Sequence, residues 1–232
     1  MSPTAVVREA WELYKAHWRT FVPLALVVFV IVGAIGLVLT WLLGWLGAIL
    51  AALASLVGQF WLQGALVEAV GDVRDGRQDL SLGETFRRVQ PRLPAIIVAG
   101  ILAAIGIFIG FVLLVVPGLF LLTIWSLIIP VIVLEGRSAG ESFGRSREIV
   151  RGNGWNVFGT IVITVLALIV ASIIVAIATF WLPDGVDSFV SDVISGTVVA
   201  PFVAVTWTVM YFTLVRPTSA TTDVAAPATP PM

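Results

Sequence analysis

Polar positions in this chain come in blocks. Six stretches carry no charged residue: 21–43, 45–67, 95–116, 117–134, 155–182 and 193–215. A helix needs about 20 apolar residues to cross the hydrocarbon core of a bilayer. The pattern therefore predicts an all-α integral membrane fold with six transmembrane helices. Turn signals divide neighbouring spans. The first two part around Gly44, the third and fourth at Pro117-Gly118, and the fifth and sixth at Pro183-Asp184-Gly185.

The interruptions have a pattern of their own. "SLGETFRRVQPRL" (81–93) holds four charges between two apolar runs. Similar segments start at Val6 ("VVREAWELYKAHWRTF") and at Ser138 ("SAGESFGRSREIVRGN"). Each places Glu, a small residue and an aromatic in a row: Glu9-Ala10-Trp11, Glu84-Thr85-Phe86 and Glu141-Ser142-Phe143. Apolar residues then follow one helical face. They are Val7, Trp11, Tyr14 and Trp18, then Leu82, Phe86, Val89 and Leu93, then Ala139, Phe143 and Val150, with Ser146 breaking the third stripe. Ser81-x-x-Glu84 and Ser138-x-x-Glu141 are capping-box patterns, while the first copy starts at Ser2-Pro3. The expectation is an amphipathic helix lying on the membrane surface before each hairpin of spans. Pro23, Pro91 and Pro94 suit the elbows, with Gly152 and Gly154 in the third copy. The chain then reads as three pseudo-repeats, 2–70, 80–134 and 137–216. A Pro-, Ala- and Thr-rich tail, 217–232, is expected to be disordered.

Charge adds an orientation. All thirteen Lys and Arg residues fall before span one, between spans two and three, between four and five, or after six. The other three connections hold no base. The positive-inside rule then places both termini and both long loops in the cytoplasm. Trp41, Trp45 and Trp181 would mark the outer interface, and Trp11, Trp18 and Trp155 the inner one.

Composition narrows the chemistry. The 232 residues are 59% hydrophobic and 12% charged, with mean hydropathy +1.06. A net charge of −1 argues against nucleic acid as a partner. With no cysteine, disulfides, thiolate metal sites and a Cys nucleophile are excluded. The first twenty residues mix acids, bases and tryptophans, unlike a signal peptide, and Ser2 excludes myristoylation. His17 is the only histidine and cannot by itself make a usual metal site. No G-x-S-x-G elbow is present, and "RGNGWNVFG" matches neither a P-loop nor a dinucleotide fingerprint. Asp72, Asp75 and Asp79 alternate with Arg74 and Arg77 as in a solvated loop, not in calcium-loop order. No enzyme activity and no cofactor are expected.

The residues that remain are few. Arg145, Arg147 and Arg151, with Arg87 and Arg88, could hold anionic lipid headgroups, each base contributing roughly 1 kcal/mol near an anionic surface. Each basic patch is only +1 after its acids are counted, and Glu84–Arg88 and Glu141–Arg145 are spaced to pair within their helices. Glu68 and Glu135 end the second and fourth spans. They suit either a proton or cation relay or an ion pair at the interface. Pro130 and Pro201 lie inside spans and predict kinks. Gly106-x-x-x-Gly110 permits close helix packing.

Residues 115–159, with Pro117-Gly118, Pro130, Glu135-Gly136, Ser142, Ser146 and the Arg151-Gly152 to Trp155 junction, resemble a known membrane module. It is the membrane domain attached to some glycerophosphoryl diester phosphodiesterases, with a related set of stand-alone bacterial inner-membrane proteins. The resemblance implies a membrane module without hydrolytic residues. The expected function is non-catalytic contact with membrane lipids or a membrane-protein partner through the surface helices. The alternative is a transporter or channel for a lipid-like or small apolar solute, using the kinks and Glu68 and Glu135. Oligomeric state is not encoded in any of these features.

Overall fold

The computed structural model describes residues 1–76, 80–179 and 186–215. Every regular element among them is a helix. α1 (Pro3–Ala16) bends at His17 into α2 (Trp18–Leu43), which turns at Gly44 into α3 (Trp45–Arg74). α4 (Leu82–Val89) passes through a 3-10 turn at Gln90–Arg92 into α5 (Leu93–Leu113). Then come α6 (Val115–Ile124), α7 (Ile128–Glu135), α8 (Ala139–Val150), α9 (Gly154–Thr179) and α10 (Val186–Val215). Six stretches are long and apolar enough to cross a membrane, and the chain is a multi-pass membrane protein: Trp18–Leu43, Trp45–Arg74, Leu82–Leu113, Val115–Glu135, Gly154–Ala178 and Gly196–Val215.

α3 stands at the centre, touching α2, α5, α7 and α10. The short helices gather at the charged end of the bundle, α1 on α9 and α10, α4 on α3, and α8 on α5 and α7. In hydrocarbon, helices are held by close packing more than by the hydrophobic effect, so small residues decide where backbones meet. A Cβ on Gly64 would lie 2.5 Å from Val89 Cγ1 and 2.9 Å from Ile96 Cδ1, which makes Gly64 the seat of α4 on α3. Gly106 likewise receives the Trp125 ring, and Gly110 meets the backbone of Gly118. Buried hydroxyls of Thr123, Thr160, Thr164, Thr206 and Thr208 each donate to a carbonyl four residues back, so none needs water.

Several expected boundaries move. The third and fourth spans part at Leu114, in extended backbone (φ −163°), not at Pro117-Gly118. Pro117 fits the first turn of α6, where a missing N–H costs nothing, and Gly118 is used for contact with Gly110. Pro23 lies inside α2, and the elbow falls at His17 instead. α3 runs on to Arg74, so Asp72 and Arg74 are helical rather than in a loop. In α1 the face turned to the bundle is Val6, Ala10 and Tyr14, one residue round from the expected stripe, and Trp11 and Trp18 stay exposed. Pro201 is buried within α10, which continues past it. Trp181, Pro183-Asp184-Gly185, Arg77, Asp79, Arg216 and the 217–232 tail lie outside the described residues.

The fourth span departs furthest from expectation. It is not kinked at Pro130 but broken at 125–127, between α6 and α7. Pro130 has no N–H for the Ser126 carbonyl and its ring would press on that oxygen, so the regular ladder cannot pass this turn. The Ile128 N–H turns to the Trp125 carbonyl (3.4 Å), which strips the Ile124 carbonyl of its normal helical donor. The Thr123 carbonyl accepts from the Ser126 N–H (3.5 Å) and hydroxyl (2.9 Å), displacing the Leu127 N–H. One side chain satisfies both orphans. Ser146 Oγ, fully buried on α8, donates to the Ile124 carbonyl at 2.7 Å and accepts from the Leu127 N–H at 3.2 Å. Irregular backbone at membrane depth requires such internal partners. The serine that interrupts the apolar stripe of the third segment is therefore the brace of a broken span.

Two substitutions test this packing. Ser146→Ala leaves two buried backbone groups unpaired and is expected to lower the unfolding free energy in mixed micelles by about 1–3 kcal/mol. Gly64→Ala overpacks the α3–α4 contact and is expected to cost about 1–3 kcal/mol in the same titration.

Candidate functional site at the charged end

The capping boxes form as full reciprocal pairs. Ser81 Oγ accepts from the Glu84 N–H (3.3 Å) and Glu84 Oε2 accepts from the Ser81 N–H (3.0 Å). Ser138 and Glu141 repeat this at 3.4 and 3.0 Å. The hydrogen bonds from the Ser138 hydroxyl and backbone hold the Glu141 carboxyl below the usual carboxylate range. The acids are thus spent on helix starts. Neither pairs with the arginine four residues on, which reaches instead to the preceding span.

α4 is held by Glu68, near the charged end of α3. Its carboxylate lies 3.6 Å from Arg88 Nη1 and 3.5 Å from Arg92 Nη1. These groups line a cleft of about 240 Å³ together with Gly71, Asp72 and Asp75. α8 is held by Glu135, the last residue of α7. Arg145 Nε donates to both its oxygens, at 3.0 and 3.1 Å, and Arg137 lies at 3.5 Å. The Tyr211 hydroxyl, from α10, donates to Glu135 Oε1 at 2.9 Å. One carboxylate therefore ties α7, α8 and α10 together. Its hydrogen bond stabilises the Arg145 cation and pushes the guanidinium further from titration. Burial of both acids leaves their side chains only 15% and 16% exposed, so charge-assisted pairing is what makes them tolerable there.

Above each clamp sits an aromatic contact. Trp61 of α3 meets Phe86 of α4 edge-on at 5.4 Å, and its indole N–H donates to the Phe86 carbonyl at 3.3 Å. Trp125 meets Phe143 of α8 edge-on at 5.0 Å. Seven residues, two regular turns, separate Trp61 from Glu68, whereas ten separate Trp125 from Glu135. The surplus of three equals the broken turn 125–127. Val89 and Ser146 stand at matching places, each eight residues after its capping serine, Ser81 or Ser138. Where the span is continuous the position is valine seated on Gly64, and where it is broken the position is the bracing serine.

α1 is attached differently. Glu9 pairs with Arg74 of α3, and that guanidinium lies over the Phe212 ring at 5.0 Å. Trp11 packs edge-on against Phe202 of α10 at 6.0 Å. His17 has its ring near the Leu13 carbonyl (3.2 Å), at the elbow between α1 and α2.

The five arginines singled out by sequence therefore divide. Arg88 and Arg145 are engaged with Glu68 and Glu135. Arg87, Arg147 and Arg151 are exposed and have no ion-pair partner among the described residues. Trp155, beside Arg151 in the chain, is 87% exposed. Among the described residues no group of three potential metal ligands forms. Pro130 serves the clamp by setting the break above Glu135, while Pro201 lies on α10 away from it. The Trp–Phe contacts and the Ser146 brace were missed in the sequence. The signal present was the recurrence of Trp ahead of each span-ending Glu.

Glu135→Gln is expected to cost about 1–3 kcal/mol of unfolding free energy by weakening the bond to a charged partner, and Tyr211→Phe about 1 kcal/mol. Arg147→Gln, which touches no partner, should change stability by no more than about 0.5 kcal/mol. Equilibrium unfolding of the three variants in one detergent mixture checks the order.

No curated protein and no solved structure matches the chain. The comparisons return no phosphodiesterase membrane domain. Residues 86–216, which include both clamped arginines and the broken span, match a family model described as a domain of unknown function, DUF7847, and the chain belongs to that family.

Proposed function

We propose that this protein is a non-catalytic membrane module whose cytoplasmic-face helices contact anionic lipid headgroups. The observation that carries the reading is the division of the arginines. Arg88 and Arg145 pin α4 and α8 to the bundle. Arg87, Arg147 and Arg151 remain exposed on the same short helices or just beyond them. A pinned helix holds its free guanidinium groups in fixed positions, and guanidinium matches phosphate oxygens in pairs. Exposed Trp18 and Trp155 suit the headgroup level, with ring in the acyl boundary and N–H in water.

The pseudo-repeat supports this reading. A Trp and then a Glu on one span, facing Phe and Arg of the following capped helix, occur at α3–α4 and again at α7–α8. In the first unit α1 lies instead on the last helix, with Trp11 against Phe202, so the three units would close in a ring. The concentration of bases at this end supports a cytoplasmic placement in a bacterial inner membrane, with both termini inside. The resemblance of residues 115–159 to phosphodiesterase-attached membrane domains fits a module that serves at a lipid surface without hydrolysing it.

Mass spectrometry of lipids retained by the purified full chain tests the proposal. Anionic phospholipid is expected to be enriched over zwitterionic phospholipid. Replacing Arg87, Arg147 and Arg151 together with Gln should reduce the enrichment by roughly tenfold or more, at about 1 kcal/mol for each base. Equal retention of both lipid classes by the wild-type chain would refute it.

A further inference from the structure

A second cavity lies further along the spans than the cleft at Glu68. It measures about 610 Å³ and lies between α2, α3, α9 and α10. Its walls are mostly apolar, with Val28 and Val32 on one side and Val199 and Val203 on another. Three polar residues of α3, Ser55, Gln59 and Gln63, share one helical face and line it, joined by Ser172 of α9. Gln59 lies fourteen residues from Trp45 and nine from Glu68, or about 21 Å and about 13 Å along the helix, close to mid-membrane. The Ser55 hydroxyl is satisfied by the Ala51 carbonyl at 2.8 Å. Neither glutamine amide has a hydrogen-bond partner among the described residues.

Gln59 is exposed and Gln63 half-buried, and an unpaired amide open to lipid chains at this depth is costly, since they offer it nothing. Leucine would pack there without that cost. Among the described residues no charged side chain lines the cavity, so these walls offer nothing to a phosphate, a carboxylate or a cation. Its volume falls within the range of small-molecule sites, about 300–1,000 Å³. These properties select one class of occupant: a long-chain amphiphile with an uncharged hydrogen-bonding head.

We infer that this cavity is a binding site for a neutral long-chain amphiphile. The glutamine amides hold its hydroxyl or carbonyl group, and its chain lies along the valines of α2 and α10. The site is independent of the headgroup contacts proposed above, because it shares no residue with them.

The test uses the full chain in nanodiscs of zwitterionic lipid, with a diazirine-bearing hexadecanol as photoprobe. Labelling is expected within residues 28–33, 55–63 and 196–203. Unlabelled hexadecanol should compete, while hexadecane, which lacks the head, and palmitate, which is charged, should compete about tenfold less well. Gln59→Leu with Gln63→Leu should reduce the competed labelling about tenfold. Ala200→Phe, which fills the cavity from α10, should abolish it. Thermal unfolding of both variants verifies that they are folded. Labelling spread over the lipid-facing surface, or equal competition by hexadecane, would overturn the inference. So would a water-filled cavity. The chain has no native cysteine, so Gln59→Cys can be probed alone, and rapid modification by a membrane-impermeant thiol reagent, unaffected by hexadecanol, would show it.

Discussion

A backbone that leaves the helical ladder inside a membrane must find its hydrogen bonds within the protein, and that requirement governs this fold. Span four meets it with one hydroxyl. Pro130 forbids a regular helix at 125–127, the Ile124 carbonyl and Leu127 N–H lose their ladder partners, and Ser146 bonds to both. The consequence reaches beyond the break. Because α8 supplies the brace, its register on α7 is fixed, and with it the approach of Arg145 to Glu135 and Tyr211.

The same need explains how charge is distributed. Glu68 and Glu135 lie at the ends of apolar helices, where an unpaired carboxylate would be penalised. Each takes an arginine from the helix that follows, so the pair that makes the acid tolerable also fastens a short helix too small to be stable alone. What remains without an ion pair on α4, on α8 and at the residue after α8 is a smaller set of bases, Arg87, Arg147 and Arg151, on supports whose positions are fixed. The function proposed for the charged end rests on which arginines the fold leaves over. Along the middle of α3 the reverse holds, for Gln59, exposed, and Gln63, half-buried, are polar and have no hydrogen-bond partner among the described residues.

Much of this was legible in the sequence where physics is local. Absence of charge over about 20 residues marks a span, and a serine three residues ahead of a glutamate marks a helix start. Both signals survive into the structure, at all six spans and at Ser81 and Ser138. Signals with two uses were misread. Pro117-Gly118 looks like a turn, yet Pro117 is comfortable in a first turn and Gly118 is needed for contact with Gly110. The i, i+4 pairs Glu84–Arg88 and Glu141–Arg145 look self-contained, yet capping claims both acids. Non-local meaning was invisible. Ser146 reads as a flaw in an apolar stripe until Ile124 and Leu127 are brought beside it. Gln59 and Gln63 escape any count of charges, although their spacing with Ser55 already placed them on one face.

The dependence of the brace on the break can be measured directly by a double-mutant cycle between Ser146→Ala and Pro130→Ala. Alanine at 130 restores a donor to the Ser126 carbonyl and lets the helix close. The loss on removing the Ser146 hydroxyl should then be smaller in that background, by about 1 kcal/mol or more. An equal loss in both backgrounds, within about 0.5 kcal/mol, would show that Ser146 does not answer to the break and would contradict the account.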